Sequence, residues 1–200
     1  YGPSHQATED LAIFRGLPNM VLIDPADACD IEGMVPQMIA HDGPVYARLL
    51  RGKVPSVLTR YKPDYKFELG RAQMIREGAD VLVISTGIMT MRALDAAEAL
   101  AKDGVDVAVL HCPTIKPLDV ETIAREVGKG GRLVVTAENH TVMGGLGEAV
   151  ATALMLRGLH PSFRMIGLPD QFLEAGALPT LHDMYGLSVA KVTDAIRGWM

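Results

Sequence analysis

The chain has 200 residues, 48% of them hydrophobic and 22% charged, with a net charge of −5. That length suits one large domain or two small ones, with apolar residues enough for a sizeable core. The acidic balance and an aromatic content of 5% exclude a basic nucleic-acid surface and a base-stacking platform.

No apolar run reaches membrane-spanning length and no signal-peptide pattern leads the chain, so neither a membrane nor a nucleic acid is an expected partner. Cys29 and Cys112 are the only cysteines. They read as two buried thiols in a reducing, cytoplasmic compartment rather than as a disulfide.

In chain order, turn formers and titratable groups crowd the front, with Gly2, Pro3, Ser4, His5 and Gln6. A short helix is predicted from Glu9 to Phe14. A buried strand from Met20 to Ile23 closes at Asp24-Pro25. Asp27 is a suitable N-cap for a helix from Ala28 to Ala40, which Gly33 and Pro36 weaken. A strand follows from Val45 to Arg51. The next stretch, "GKVPSVLTRYKPDYKFE", has two prolines, several charges and no helical period, and reads as an extended linker. After it, "ADVLVIST", "VDVAVLHC", "RLVVTAE" and "SFRMIGLPD" alternate with helical patterns, the first from Met89 to Ala101 and the last capped by Ser188. This alternation gives βαβ units and a mostly parallel sheet. Continuous rather than alternating apolar strands imply that helices cover both faces.

A dinucleotide site would need G-x-G-x-x-G after the first strand. The chain instead offers "STGIMT" and the late "MGGLGEA", so nucleotide binding is disfavoured. The helix after Gly147 either presents its amino end to an anion or packs closely on its strand. Glu138, Asn139 and His140 leave a buried strand for the glycine turn, which suits the edge of a pocket, an interface, or capping of that helix. Arg48 and Arg51 are three apart and cannot both face one pocket on a regular strand. Arg51, at the predicted carboxyl end, is the better anion ligand, with a surface arginine as the alternative. His5 is either an exposed loop histidine or a group that titrates near neutral pH for a purpose. No His/Cys spacing suits a metal, and no G-x-S-x-G elbow is present.

Taken in order, "GPSHQATEDLAIFRGLPNM", "DGPVYARLLRG", "TAENHTVMGGLGEAVA" and "IGLPD" resemble the carboxyl-terminal part of transketolases and of 1-deoxy-xylulose-5-phosphate synthases. The resemblance spans essentially the whole chain. It implies an α/β fold in two pieces. Residues 1–60 would be the second half of a partial parallel-sheet pyrimidine-binding domain, 61–67 a linker, and 68–200 a smaller, mostly parallel sheet with one antiparallel strand, for which "RAQMIRE" is suited. It implies a two-carbon ketol transfer between sugar phosphates, with thiamine diphosphate and Mg²⁺ in the complete enzyme. The family's G-D-G…N segment is absent, and its activating glutamate would lie before Tyr1, so this chain alone is expected to bind no cofactor tightly and to be inactive. The implied partners are an amino-terminal half or separate subunit, a second copy in a homodimer, and a phosphosugar. Residue by residue, His5 falls on the histidine that hydrogen-bonds substrate and Arg51 on the arginine that binds a sugar phosphate. Tyr1 stands where the family has an acid touching a substrate hydroxyl. The alternatives are a synthase that condenses pyruvate with glyceraldehyde 3-phosphate, and a non-catalytic dimerisation or regulatory fragment.

Overall fold

A computed structural model of the chain describes residues 6–50 and 54–200. Its first piece opens with helix α1 (Asp10–Arg15), strand β1 (Val21–Ile23), helix α2 (Ala28–Ala40) and strand β2 (Val45–Ala47). Asp27 caps α2 as its sequence position predicts, accepting from Cys29 N–H at 2.9 Å. The helix tolerates both of its weak residues for identifiable reasons. A Cβ on Gly33 would come within 2.6 Å of Phe67 Cβ, so glycine allows a close approach there. Pro36 lies on the exposed side, where water can reach the carbonyl it leaves free.

The stretch read as an extended linker holds one helical turn, α3 (Leu58–Tyr61). Asp27 nucleates it. Its Oδ2 also accepts from Val57 N–H at 2.7 Å and Leu58 N–H at 3.0 Å, which tethers the turn to the start of α2. A local period could not reveal this, because the cap comes from 30 residues upstream.

The second piece runs β3 (Gln73–Arg76), β4 (Val81–Ser85), α4 (Ile88–Ala101), β5 (Val107–His111), β6 (Thr114–Lys116), α5 (Val120–Gly128), β7 (Leu133–Thr141), α6 (Leu146–Leu156), β8 (Phe163–Leu168), α7 (Leu178–Met184) and α8 (Val189–Trp199). Its sheet has the order β3-β5-β4-β7-β8. Strands β5, β4, β7 and β8 are parallel, and β3, within "RAQMIRE", is antiparallel to β5. Val81 and Val83 pack on one face with Leu94 of α4 and Ile196 of α8. Leu82 and Ile84 pack on the other with Ile123 of α5 and Val150 of α6. Both faces are thus covered, which is why these strands are apolar without alternation. Each fully buried Leu or Ile contributes roughly 1.5–3 kcal/mol.

Two elements of this second piece had no counterpart in the sequence reading, β6 and α7. Strand β6 leaves its own sheet and pairs antiparallel with β1, completing a three-stranded sheet of order β2-β1-β6. Lys116 on β6 then donates to the carbonyls of Arg15 (2.9 Å) and Leu17 (2.5 Å), placing a cation at the carboxyl end of α1. The two pieces are therefore joined by backbone pairing as well as by side chains.

A buried polar chain reinforces the junction. Asp30 of α2 accepts from Tyr65 Oη (2.6 Å), His111 Nε2 (2.8 Å) and Ala26 N–H (2.8 Å). Beyond it, His111 Nδ1 lies 2.8 Å from Thr90 Oγ1, which lies 2.9 Å from Ser85 Oγ. Burial disfavours the Asp30 charge, yet His111, Tyr65 and the Ala26 amide more than offset this and hold its pKa below the usual carboxylate value. Of the two thiols, Cys112 is buried and Cys29 only half-buried, so the expectation of two buried thiols holds for one. Cys29 sits in the first turn of α2, where one side stays open to solvent. Replacing Asp30 with alanine strands a histidine, a tyrosine and an amide in a dry interior, at a cost of about 3 kcal/mol or more. Urea unfolding at neutral pH should show a lowered midpoint at unchanged slope; an unaltered midpoint would dismiss the clasp.

Candidate functional site

A cleft of about 530 Å³ opens between the two pieces. One wall carries Gln6 to Thr8, Asp10, Asp24 and Tyr46 to Leu50; the other carries Asn139, Leu168 and the segment from Leu173 to Tyr185. Such a crevice at the carboxyl ends of β1, β2 and β7 is where open α/β sheets place ligands.

Arg48 organises the first wall. Its Nε lies 3.0 Å from Asp10 Oδ2, and its Nη1 lies 3.4 Å from Asp24 Oδ2. The same Nη1 donates to Asn139 O at 3.0 Å, and Nη2 donates to Ala7 O at 2.8 Å. Burial disfavours the guanidinium charge, but Asp24 and Asp10 more than compensate and keep its pKa above the ordinary value. Burial pushes the Asp24 carboxyl upward against Arg48's opposing pull. Tyr46 Oη donates to Asp10 Oδ2 at 2.8 Å, and burial followed by that bond raises the phenol to about 12. Asp10 Oδ1 is buried with no hydrogen-bond partner among the described residues.

On the second wall, His182 of α7 is buried, with Nδ1 2.7 Å from Arg92 Nη2 and Nε2 3.1 Å from Asn139 Oδ1. Burial, then Arg92, pushes it down to about 4. Nearby, His140 Nδ1 lies 2.7 Å from Thr141 O, and its Nε2 accepts from Ala12 N–H at 3.3 Å. Accepting on Nε2 requires the neutral ring, in keeping with burial lowering its pKa.

The trio at the end of β7 therefore divides its work. Glu138 accepts from Leu146 N–H (2.7 Å) and Gly147 N–H (2.8 Å), capping α6. Its carboxyl is raised to about 7, burial outweighing those two amides. His140 fastens α1, and only Asn139 reaches the cleft. Gly147 packs α6 onto the sheet, since a Cβ there would lie 2.6 Å from Met165 Sδ.

Of the residues singled out in the sequence, Tyr1, His5 and Arg51 lie outside the described residues. The described residues next to the last two, Gln6 and Leu50, both line this cleft. Arg48 directly follows β2, its N–H still donating to Ile23 O at 2.9 Å, and it shares the face of Tyr46: both side chains reach Asp10 Oδ2, and both line the cleft. His182 and Arg92 were not foreseen. The segment around His182 has no clear period, and its partners stand 43 and 90 residues away, so nothing local marks it.

A diphosphate with Mg²⁺ does not fit the described lining. Two helix amino ends border this region, and each already faces a carboxylate. Glu138 occupies that of α6. Asp24 occupies that of α4, where a Cβ on Gly87 would lie 2.5 Å from its Oδ2. No three His, Cys, Asp or Glu side chains converge as a metal site among the described residues. Nor is any described helix long and apolar enough to cross a membrane.

Fold and cleft define a two-piece α/β chain with a ligand crevice at the junction. The pyrimidine-binding domain of transketolase matches residues 1–56, and the transketolase C-terminal domain matches residues 70–192. The chain belongs to the transketolase family. It is 64% identical over its whole length to 58% of an uncharacterized transketolase family protein of Sinorhizobium fredii. Over 97% of its length it is 42% identical to 59% of a 6-deoxy-6-sulfo-D-fructose transketolase subunit of a Clostridium species. It is 32% identical, over 98% of its length, to 30% of a 1-deoxy-D-xylulose-5-phosphate synthase of Heliobacterium modesticaldum. A solved split-gene transketolase, described as an inactive beta4 tetramer, superposes with a TM-score of 0.86 at 41% identity, covering 98% of this chain and 62% of that one. The chain thus spans less than two thirds of these relatives.

Arg48→Met should leave two carboxylates without their cation and cost about 3–5 kcal/mol by urea unfolding. A loss under about 1 kcal/mol would show the pairing to be incidental. The pH dependence has a definite sign. Unfolded His182 takes up its proton near its usual pKa of 6.5, whereas the folded ring resists protonation until about 4. Its stabilising contribution is complete above 6.5 and is lost as pH falls toward 4, amounting to about 2–3 kcal/mol at most after solvent screening. His182→Gln should flatten that part of the stability curve.

Proposed function

We propose that this chain supplies the carboxyl-terminal part of a transketolase-type enzyme that moves a two-carbon ketol unit between sugar phosphates. The observation that carries the reading is the convergence at one cleft. The residues that adjoin His5 and Arg51 in the chain both line it, within a chain of the transketolase family. Thiamine diphosphate with Mg²⁺ would supply the carbanion chemistry from residues outside this chain, since the described lining suits neither the diphosphate nor the metal.

In this reading His5 donates a hydrogen bond to a substrate oxygen as charge develops there. Arg51 holds the phosphate end of the sugar and turns remote binding energy into orientation. Tyr1 borders the substrate where an uncharged phenol replaces an acid. Asp10, Asp24 and Arg48 give a fixed polar floor. A separate subunit carrying the cofactor segment is the proposed partner. The description of the solved split-gene relative as inactive in its beta4 form supports it. A homodimer of the completed unit and a cytoplasmic setting belong to the same proposal. The synthase reading draws on relatives of that name at 32% identity, and the two readings part on substrate.

Two measurements test this. Titrating thiamine diphosphate and Mg²⁺ into the isolated chain should give no tight binding; micromolar binding would contradict the division of labour. In the assembled enzyme, ketol transfer between phosphosugars should appear. His5→Ala should lower kcat/KM by about 10²-fold, as loss of one oxyanion donor does. Arg51→Ala should raise KM for phosphorylated but not unphosphorylated acceptors. Turnover of pyruvate with release of CO₂, and none of ketoses, would replace this reading with the synthase.

A further inference from the structure

The second wall of the cleft contains a contact that only one protonation pattern satisfies. Arg92 can only donate, so His182 Nδ1, 2.7 Å from its Nη2, must accept. A neutral imidazole with an accepting Nδ1 carries its proton on Nε2. Nε2–H then donates to the side chain of Asn139 at 3.1 Å, so the Asn139 atom facing it must be the oxygen. The Asn139 amide nitrogen is thereby turned away from His182, and it makes no hydrogen bond to any described residue. Asn139 itself lines the cleft.

The relay has a fixed support behind it. His182 is buried, and its carbonyl accepts from both Leu187 N–H (2.7 Å) and Ser188 N–H (3.0 Å), which fixes the carboxyl end of α7. Arg92 sits on α4 with no carboxylate partner among the described ion pairs, and its Nε is buried and unpartnered. A half-buried arginine that spends a donor on a neutral histidine, rather than on a carboxylate, gains little stability by doing so. What it gains is a single tautomer.

The opposite wall presents the complementary chemistry. Asp10 Oδ1 is a buried acceptor without a partner among the described residues, and Asp24 lies beside it. One Arg48 nitrogen is shared between Asp24 Oδ2 and the Asn139 carbonyl, so the two walls meet across a single guanidinium. Acceptors on one side and amide donors on the other suit a group that can both give and receive, which is a hydroxyl.

We propose that Asn139 is a substrate-binding residue whose two N–H donors are held toward the cleft by His182 and Arg92, and that it reads a hydroxyl or carbonyl oxygen of a polyhydroxylated substrate chain. His182 and Arg92 are positioning residues and touch no substrate. This rests on the reading of the cleft as a sugar-binding site, but half of it can be tested without any activity.

The first test is nitrogen-15 NMR of the histidine-labelled full chain at pH 7. His182 should show a pyrrole-type Nε2 and a pyridine-type Nδ1. Arg92→Met should abolish that single tautomer and Arg92→Lys should preserve it. An imidazolium, a proton on Nδ1, or no response to Arg92→Met would overturn the relay even if the enzyme transfers ketol units. The second test is kinetic, on the assembled enzyme with a ketose phosphate donor. Asn139→Asp keeps the acceptor for His182 and removes the donors. It should raise KM about tenfold with kcat changed less than about threefold, the cost of one or two lost hydrogen bonds. His182→Gln, whose side-chain amide can still donate to Asn139, should recover more than half of the affinity lost in His182→Ala. Unchanged KM in Asn139→Asp, with the tautomer confirmed, would leave the relay a structural device and sink the substrate role. Absence of any ketol transfer in the wild-type assembly would instead sink the reading of the cleft.

Discussion

The cleft depends on one residue at the end of β1. Asp24 donates its N–H to Pro113 O (2.9 Å), and its carbonyl accepts from Gly87 N–H (3.0 Å) and Thr86 Oγ1 (3.2 Å). Its carboxylate lies against the amino end of α4 and pairs with Arg48. Every one of those contacts except Arg48 reaches into the second piece of the chain. A buried carboxylate is costly unless paired and hydrogen-bonded. The surrounding geometry is therefore constrained as a set. Gly87 must lack a side chain and hold φ of +54°, Arg48 must turn inward, and Asp10 must stand close enough to share it.

The same device recurs one strand over. Glu138 ends β7's buried run and caps α6 with two amide hydrogen bonds, while Asp24 stands against the amino end of α4 at Gly87 without one. Helix amino ends at the carboxyl edge of a parallel sheet are the ordinary anion sites of this architecture. Here the chain occupies both with its own carboxylates. The glycines around "MGGLGEA" thus serve packing and capping, and the absence of a nucleotide fingerprint has a structural counterpart.

How far all this could be read from residues depends on the range of each interaction. The helices and strands of the second piece were legible because their periods are local and their sheet is covered on both faces. Ser188 and Asp27 were legible as caps because a cap lies within about three residues of the amide it holds. The turn α3 and the strand β6 were not, because Asp27 and β1 create them from far along the chain, 30 residues away in the case of Asp27. In the cleft, Glu138, Asn139 and His140 drew notice as polar residues ending a buried strand. Their separate duties emerge only from α1, α6 and α7, which no spacing within the trio encodes. Arg48's part in the cleft rests on Asp10 and Asp24, both far upstream in the chain, which no local strand rule reveals.

Charge then limits what the described lining can do for a phosphorylated ligand. Asp10, Asp24 and Arg48 together carry one excess negative charge, and the guanidinium is already committed to both carboxylates. His182 adds none, being held neutral by burial and then by Arg92. An anionic phosphate placed here would meet acceptors it cannot use, whereas a hydroxyl chain would find both acceptors and the Asn139 donors. If the proposed substrate is a sugar phosphate, this lining would favour its hydroxyl chain over its phosphate. Under that proposal the polyol would lie on this lining, and the phosphate would have to be met beyond it, by groups other than Asp10, Asp24 and Arg48.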